Sequence, residues 1–220
     1  MNLQKLTHQL TKYKSVINDF LELPVFLERF YKYMSILRND TMQAIILAAG
    51  KSSRLWPFGV EEHKSLIKIM GKPLIQHTIE SLEETDVDEV IIVQGPDRDI
   101  EKKLGKDVCD IDIRYVIQEE SKGMGHAVRQ VKGLVKEQFF VMNPYRKNTS
   151  DFVGSMIEKS KETGAEMILL SSETDTPWKY GILEVDGDKA HKIVEKPEKG
   201  EEPSNNKVVG LYLLPKDFLS

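Results

Sequence analysis

A chain of 220 residues is long enough for one ordinary domain and an accessory element, and 40% hydrophobic with 30% charged residues is a globular composition that excludes a disordered one. A formal charge of -4 excludes a general nucleic-acid binder, which would need clustered Lys and Arg. The single cysteine, Cys109, excludes an intramolecular disulfide. No apolar run reaches membrane-spanning length and the N-terminus carries charge where a secretory leader is apolar, so the expected location is cytoplasmic and no membrane partner is expected.

In residues 1–41, Leu3, Leu6, Leu10, Tyr13, Ile17 and Phe20 recur at steps of three and four, which lays one apolar stripe along a helix. Pro24 interrupts the stripe; Phe26, Phe30 and Leu37 resume it, so two helices are expected around a break at Pro24, ending near Asn39 and Asp40. This N-terminal extension, 1–41, packs on the remaining domain, 42–220, or serves a homo-oligomer contact.

Ala44 to Leu47 is a short apolar run closed by small residues, as expected of a buried parallel strand that opens into a loop. Ala48, Ala49 and Gly50 remove side-chain bulk where a ligand can approach the backbone. Lys51, Ser52, Ser53 and Arg54 then supply cations, hydroxyls and amide donors, the outline of an anion site. The stretch has neither the three glycines of a dinucleotide fingerprint nor the closing Gly-Lys-Ser/Thr of a Walker loop.

Downstream, strand-like runs at Glu89 to Gln94, Asp112 to Gln118, Gln138 to Asn143 and Ala165 to Ser171 alternate with helical ones at Pro73 to Glu84, Asp97 to Leu104, Gly125 to Lys136 and Asp151 to Thr163. This alternation predicts an α/β fold, a doubly wound and mainly parallel sheet that binds ligands outside the carboxyl ends of its strands. After Pro177 the segments shorten to Gly181 to Val185, Ala190 to Val194 and Val208 to Leu214, with Asp186, Gly187 and Asp188 at a tight turn, so a small β-rich flap is expected beside the sheet.

Leu47 to Pro57 resembles the signature of the sugar-1-phosphate nucleotidylyltransferases, Leu-Ala-(Ala/Gly)-Gly-x-(Gly/Ser)-x-Arg-(Leu/Met)-x-Pro, and Lys64 followed by Gly71-Lys72-Pro73-Leu74 extends the match. The resemblance implies a Rossmann-like core that joins an NTP and a sugar 1-phosphate to give an NDP-sugar and pyrophosphate. It assigns Arg54 to the β and γ phosphates, Lys64 to the α-phosphate, and Leu47, Ala48, Ala49, Gly50, Lys51, Ser52 and Ser53 to the nucleotide loop. Gln118 and the glycines Gly123 and Gly125 resemble the family's base-reading segment, while His126 reads as a residue of the helix start. Tyr180-Gly181, Glu195-Lys196-Pro197 and Val208 to Tyr212 look most like the thymidylyltransferase branch, which implies that Gly181, Glu195 and Lys196 hold the sugar phosphate. A Glu and a Lys in sequence on a strand point to opposite faces unless the strand ends there, and Pro197 favours an ending.

The resemblance also implies Mg2+, held by an aspartate just after the strand that ends near Asn143. Here Pro144 or Tyr145 takes that place, and the family's second metal carboxylate falls beyond Ser220, so the metal ligands stay unassigned. Two other readings follow. One is a nucleotide or nucleotide-sugar binding module that regulates or scaffolds a partner; the other is a cytidylyltransferase acting on a polyol, choline or cofactor precursor, a branch that Gly-Lys-Ser-Ser-Arg also resembles.

Overall fold

A computed structural model of the chain describes residues 42–50, 63–106, 108–145 and 148–220. The helices expected in 1–41 lie outside the described residues, as do Lys51, Ser52, Ser53 and Arg54. In chain order the elements are β1 (Met42–Ala48), the two-residue strands β2 (Lys68–Ile69) and β3 (Lys72–Pro73), α1 (Leu74–Glu80), β4 (Val87–Gln94), α2 (Asp99–Leu104), β5 (Asp112–Ile117), α3 (Met124–Arg129), β6 (Gln138–Met142) and α4 (Thr149–Thr163). Then come β7 (Ile168–Glu173), β8 (Gly181–Asp186), β9 (Lys189–Glu195) and β10 (Asn206–Pro215).

The main sheet runs in the order β5-β4-β1-β6-β10-β8-β9, with β7 paired to β10. Pairing is parallel from β5 through β4 and β1 to β6, the half built from alternating strand and helix. From β6 onward it is antiparallel: Leu211 faces Met142, Asn206 faces Glu173, Lys207 faces Ile182 and Gly181 faces Glu195. The β-rich segment is therefore continuous with the main sheet through β10. Gly187, at φ +56°, turns the β8-β9 hairpin.

β1 is buried along nearly all its length because both of its faces are covered. Ala44, Ile46 and Ala48 join Ile75 and Ile79 of α1, Ile100 of α2 and Val153 and Met156 of α4 in one apolar cluster. Ile45 joins Ile91, Val141 and Ala127 and Val128 of α3 in the other. The side-chain alternation of one strand thus feeds two cores, the double winding expected from the sequence. Buried Gln43 fits this apolar strand because its amide is satisfied: Nε2 donates to Glu89 Oε2 at 2.6 Å and Leu134 O at 3.1 Å, and Oε1 accepts from Lys136 N at 2.6 Å.

Candidate functional site

The carboxyl ends of the parallel strands open on a cleft of about 740 Å³, with the β8-β9 hairpin and the start of β10 as its opposite wall. Leu47, Ala49 and Gly50 reach it from the end of β1, Gln118 and Gly123 from the segment after β5, and Gly181, Glu195 and Lys196 from the hairpin; Lys64 lines it from the short turn 64–66. Leu47 of β1 and Tyr212 of β10, far apart in the chain, are thus brought to one cleft. Two expected residues among those described fall outside the lining. Ala48 points into the core beside Ala44 and Ile46, as strand alternation requires of the neighbour of Leu47, and Gly125 is exposed on α3.

Glu195 and Lys196 both line the cleft because β9 ends at Glu195 and Lys196 takes φ +47°, the left-handed region that ordinary residues avoid. Its N–H donates to Tyr180 O at 2.9 Å, which holds the kink in place. Such strain costs about 1–3 kcal/mol and persists where a side chain must be aimed. Opposite, Gly181 leaves room for the carboxylate: a Cβ there would lie 3.0 Å from Glu195 Oε2 and 3.3 Å from Ile193 Cγ2. Gly210 does the same for Asn143. It sits at φ +75° within an irregularity of the β7-β10 ladder, and a Cβ on it would stand 2.3 Å from Asn143 Nδ2.

His63 was passed over in the sequence, where a lone histidine before Lys64 carries no motif. Its Nε2 lies 2.9 Å from Gly50 O, a group that only accepts, so the ring proton is on Nε2. Nδ1 then accepts from Ser65 Oγ at 2.6 Å and from Ser65 N at 3.3 Å, capping the turn that carries Lys64. Burial pushes the imidazole below its ordinary range, the nearby Lys64 cation acting in the same direction and the Gly50 bond against it, so the neutral form is favoured. One neutral ring therefore ties the end of the β1 loop to the lysine turn.

Where a metal-holding aspartate was expected, Pro144 is buried and Tyr145 lies in the cleft, 45% exposed, with Lys64 Nζ 4.8 Å from the centre of its ring. Among the described lining residues, Lys64, Lys179 and Lys196 face one carboxylate, Glu195. No group of three or more His, Cys, Asp or Glu side chains among the described residues is placed to hold a metal. A hard divalent cation prefers several oxygen ligands, so this set does not fit Mg2+; it fits an anion. No helix among the described residues is long and apolar enough to cross a membrane.

The fold and this cleft define an α/β protein with a ligand cleft at the carboxyl ends of its strands, and comparison with known proteins gives its family. It belongs to the nucleotidyl transferase family, whose sequence profile matches residues 43–220. It is 35% identical over 174 residues to the bifunctional protein GlmU of Methanococcus maripaludis strain C5, covering 79% of this chain and 40% of that one; the chain spans well under half of that relative's length. It is 30% identical over 180 residues to the UTP--glucose-1-phosphate uridylyltransferase AglF of Haloferax volcanii, covering 78% of this chain and 71% of that protein. A crystal structure of a putative glucose-1-phosphate thymidylyltransferase from Bacillus anthracis shares the fold, with a TM-score of 0.71 at 24% identity over 81% of this chain and 73% of that one.

Proposed function

We propose that the cleft binds a nucleoside triphosphate and a sugar 1-phosphate and transfers the nucleotidyl group between them, releasing pyrophosphate. The observation that carries this is the convergence of the β1 loop, Lys64, Gln118 and the Glu195-Lys196 kink on one basic cleft. A phosphate oxygen of the sugar 1-phosphate forms a new bond to the α-phosphorus, the bond from that phosphorus to the β-phosphate oxygen breaks, and pyrophosphate leaves with the electron pair. Lys64 places positive charge at the α-phosphate, Lys196 orients the sugar phosphate and Glu195 accepts from sugar hydroxyls. Arg54 is proposed for the β and γ phosphates on its place in the signature alone. These residues supply position and fixed charge, which is most of what phosphoryl-type transfer asks of a protein.

Magnesium is the cofactor that the family resemblance implies. The described lining does not fit it. A second reading therefore has its own observation. The ring of Tyr145 beside Lys64, in place of a carboxylate, suits binding of a nucleotide or nucleotide-sugar without turnover.

Pyrophosphate release, measured over a panel of NTPs and sugar 1-phosphates with and without magnesium, separates the two. Turnover that Lys64→Ala and Arg54→Ala each lower by roughly a hundredfold or more, the scale of one lost charge-stabilising group, supports transfer. Calorimetric binding without release of pyrophosphate supports the second reading, and full activity in both variants removes the assigned roles.

A further inference from the structure

β6 ends at Met142, and of the three residues that follow, Asn143 and Tyr145 line the cleft while Pro144 between them is buried. The proline ring fixes its own φ and its burial anchors the chain, so Tyr145 leaves the strand end at a set angle. Lys64 reaches the same place from the turn that His63 caps. Its Nζ stands 4.8 Å from the centre of the Tyr145 ring, within the range over which the face of an aromatic ring attracts a cation. The ring attracts the ammonium through its quadrupole and leaves the positive charge in place, whereas a carboxylate there would cancel it. The Tyr145 side chain is 45% exposed and its hydroxyl has no hydrogen-bond partner among the described residues, so an O–H donor stands beside the lysine.

A hard divalent cation on a nucleoside triphosphate is ordinarily held by one or two carboxylates together with the phosphate oxygens. Asn143, Pro144 and Tyr145 supply none. Glu195, the single carboxylate among the described lining residues, belongs to β9, with β10 and β8 between it and β6 in the sheet. Three strand spacings amount to about 14 Å along the sheet, too far for Glu195 to serve at the end of β6. The cations of the described lining, Lys64, Lys179 and Lys196, outnumber it. Magnesium removes part of the negative charge of a triphosphate and occupies some of its oxygens. Where no carboxylate holds the metal, that can only weaken the attraction to lysines.

We infer that Tyr145 and Lys64 form a metal-independent phosphate site: the ammonium and the phenol hydroxyl take phosphate oxygens directly, so the cleft binds its nucleotide in the metal-free form and magnesium weakens that binding. This rests on the nucleotide reading of the cleft and adds the charge form of the ligand. It departs from the magnesium that the family resemblance implies, and the departure is carried by the side chains present at the end of β6.

The test is calorimetric titration of the full chain with UTP, dTTP, CTP, ATP and GTP, each in EDTA and in excess magnesium chloride, with ionic strength matched by sodium chloride. The proteins are the wild type, Tyr145→Asp, Tyr145→Glu and Tyr145→Asn. For the nucleotide bound most tightly, the wild type is expected to bind roughly threefold or more tightly in EDTA than in magnesium, the scale of one solvent-exposed ion pair. Tyr145→Asp and Tyr145→Glu place a carboxylate that repels bare phosphate and accepts the metal, and the preference is expected to vanish or reverse; two side-chain lengths keep the test open should one variant impair folding. Tyr145→Asn, which adds no charge, is expected to keep the preference for the metal-free form while binding more weakly in EDTA than the wild type. Equal or tighter wild-type binding in magnesium overturns this inference and leaves the nucleotide reading standing. Acidic variants that both keep the wild-type ratio, or an asparagine variant as tight as the wild type in EDTA, remove Tyr145 from the site and overturn it as well. If no nucleotide binds in either condition, the nucleotide reading itself falls and this inference falls with it.

Discussion

Replacing Gly210 with alanine separates two costs that the structure places on one residue. At φ +75° a β-carbon carries a left-handed penalty of about 1–2 kcal/mol. The same atom would stand 2.3 Å from Asn143 Nδ2 and 3.3 Å from Asn143 Cγ, so Asn143 must move, at the roughly 1–3 kcal/mol typical of overpacking. The expected loss is therefore about 2–5 kcal/mol for Gly210→Ala alone. In an Asn143→Ala background the collision is gone and only the backbone part, about 1–2 kcal/mol, should remain. Urea unfolding of the four proteins of this cycle, followed by both fluorescence and circular dichroism to establish a single transition, measures the coupling. Equal losses in the two backgrounds would falsify the account of Asn143 as the colliding neighbour. No loss in either would show that β10 does not need its glycine.

Two further outcomes follow from the same kind of geometry. Gly181→Ala should weaken binding of the sugar 1-phosphate that the pyrophosphate-release panel selects several-fold by displacing the Glu195 carboxylate, while urea stability changes by less than about 1 kcal/mol, since 3.0 Å to a side-chain tip is relieved by a small rotation; binding at wild-type strength would remove Glu195 from the proposed sugar site. Because the folded chain holds His63 below its ordinary range, the unfolded chain binds more protons at mildly acidic pH. The His63 contribution is accordingly complete above about pH 6.5 and is lost as pH falls through the lower folded value, so stability should decline as pH falls below about 6.5. His63→Gln should flatten that part of the stability profile, and an unchanged slope would refute the assignment.

The parallel half of the fold was legible because β1, β4 and β6 carry the apolar runs Ala44 to Ala48, Val90 to Val93 and Phe139 to Met142, of the kind that strands covered on both faces carry. Helix lengths were not. The apolar period continues past Glu80 and past Arg129, yet Leu82, Glu83 and Thr85 donate to Ile79, Glu80 and Leu82, and Gln130, Val131, Lys132 and Leu134 donate to Ala127, Val128, Arg129 and Val131. Those bonds span three residues rather than four, so tighter turns keep the buried face while leaving the α-helix. The strand expected at 165–171 begins instead at Ile168, because its register is set by β10, some forty residues later.

At the site, the resemblance drew attention to Gln118, Glu195 and Lys196, and Pro197 gave a reason for the last two to share a side. Gly210 and Asn143 escaped notice because their dependence on each other exists only across two strands. His63 escaped because a single imidazole has no pattern until its two nitrogens have named partners.

β10 pairs with β6, β7 and β8, so it joins the parallel half of the sheet to the hairpin side. During synthesis, β6 is complete well before residues 206–215 leave the ribosome, and until they do, its outer edge from Phe139 to Met142 has no neighbour. That interval exposes an apolar strand border of the kind that pairs with other chains. The nascent protein's vulnerability to aggregation should therefore peak between these two points of translation, and a chaperone that shields strand edges should act on it then.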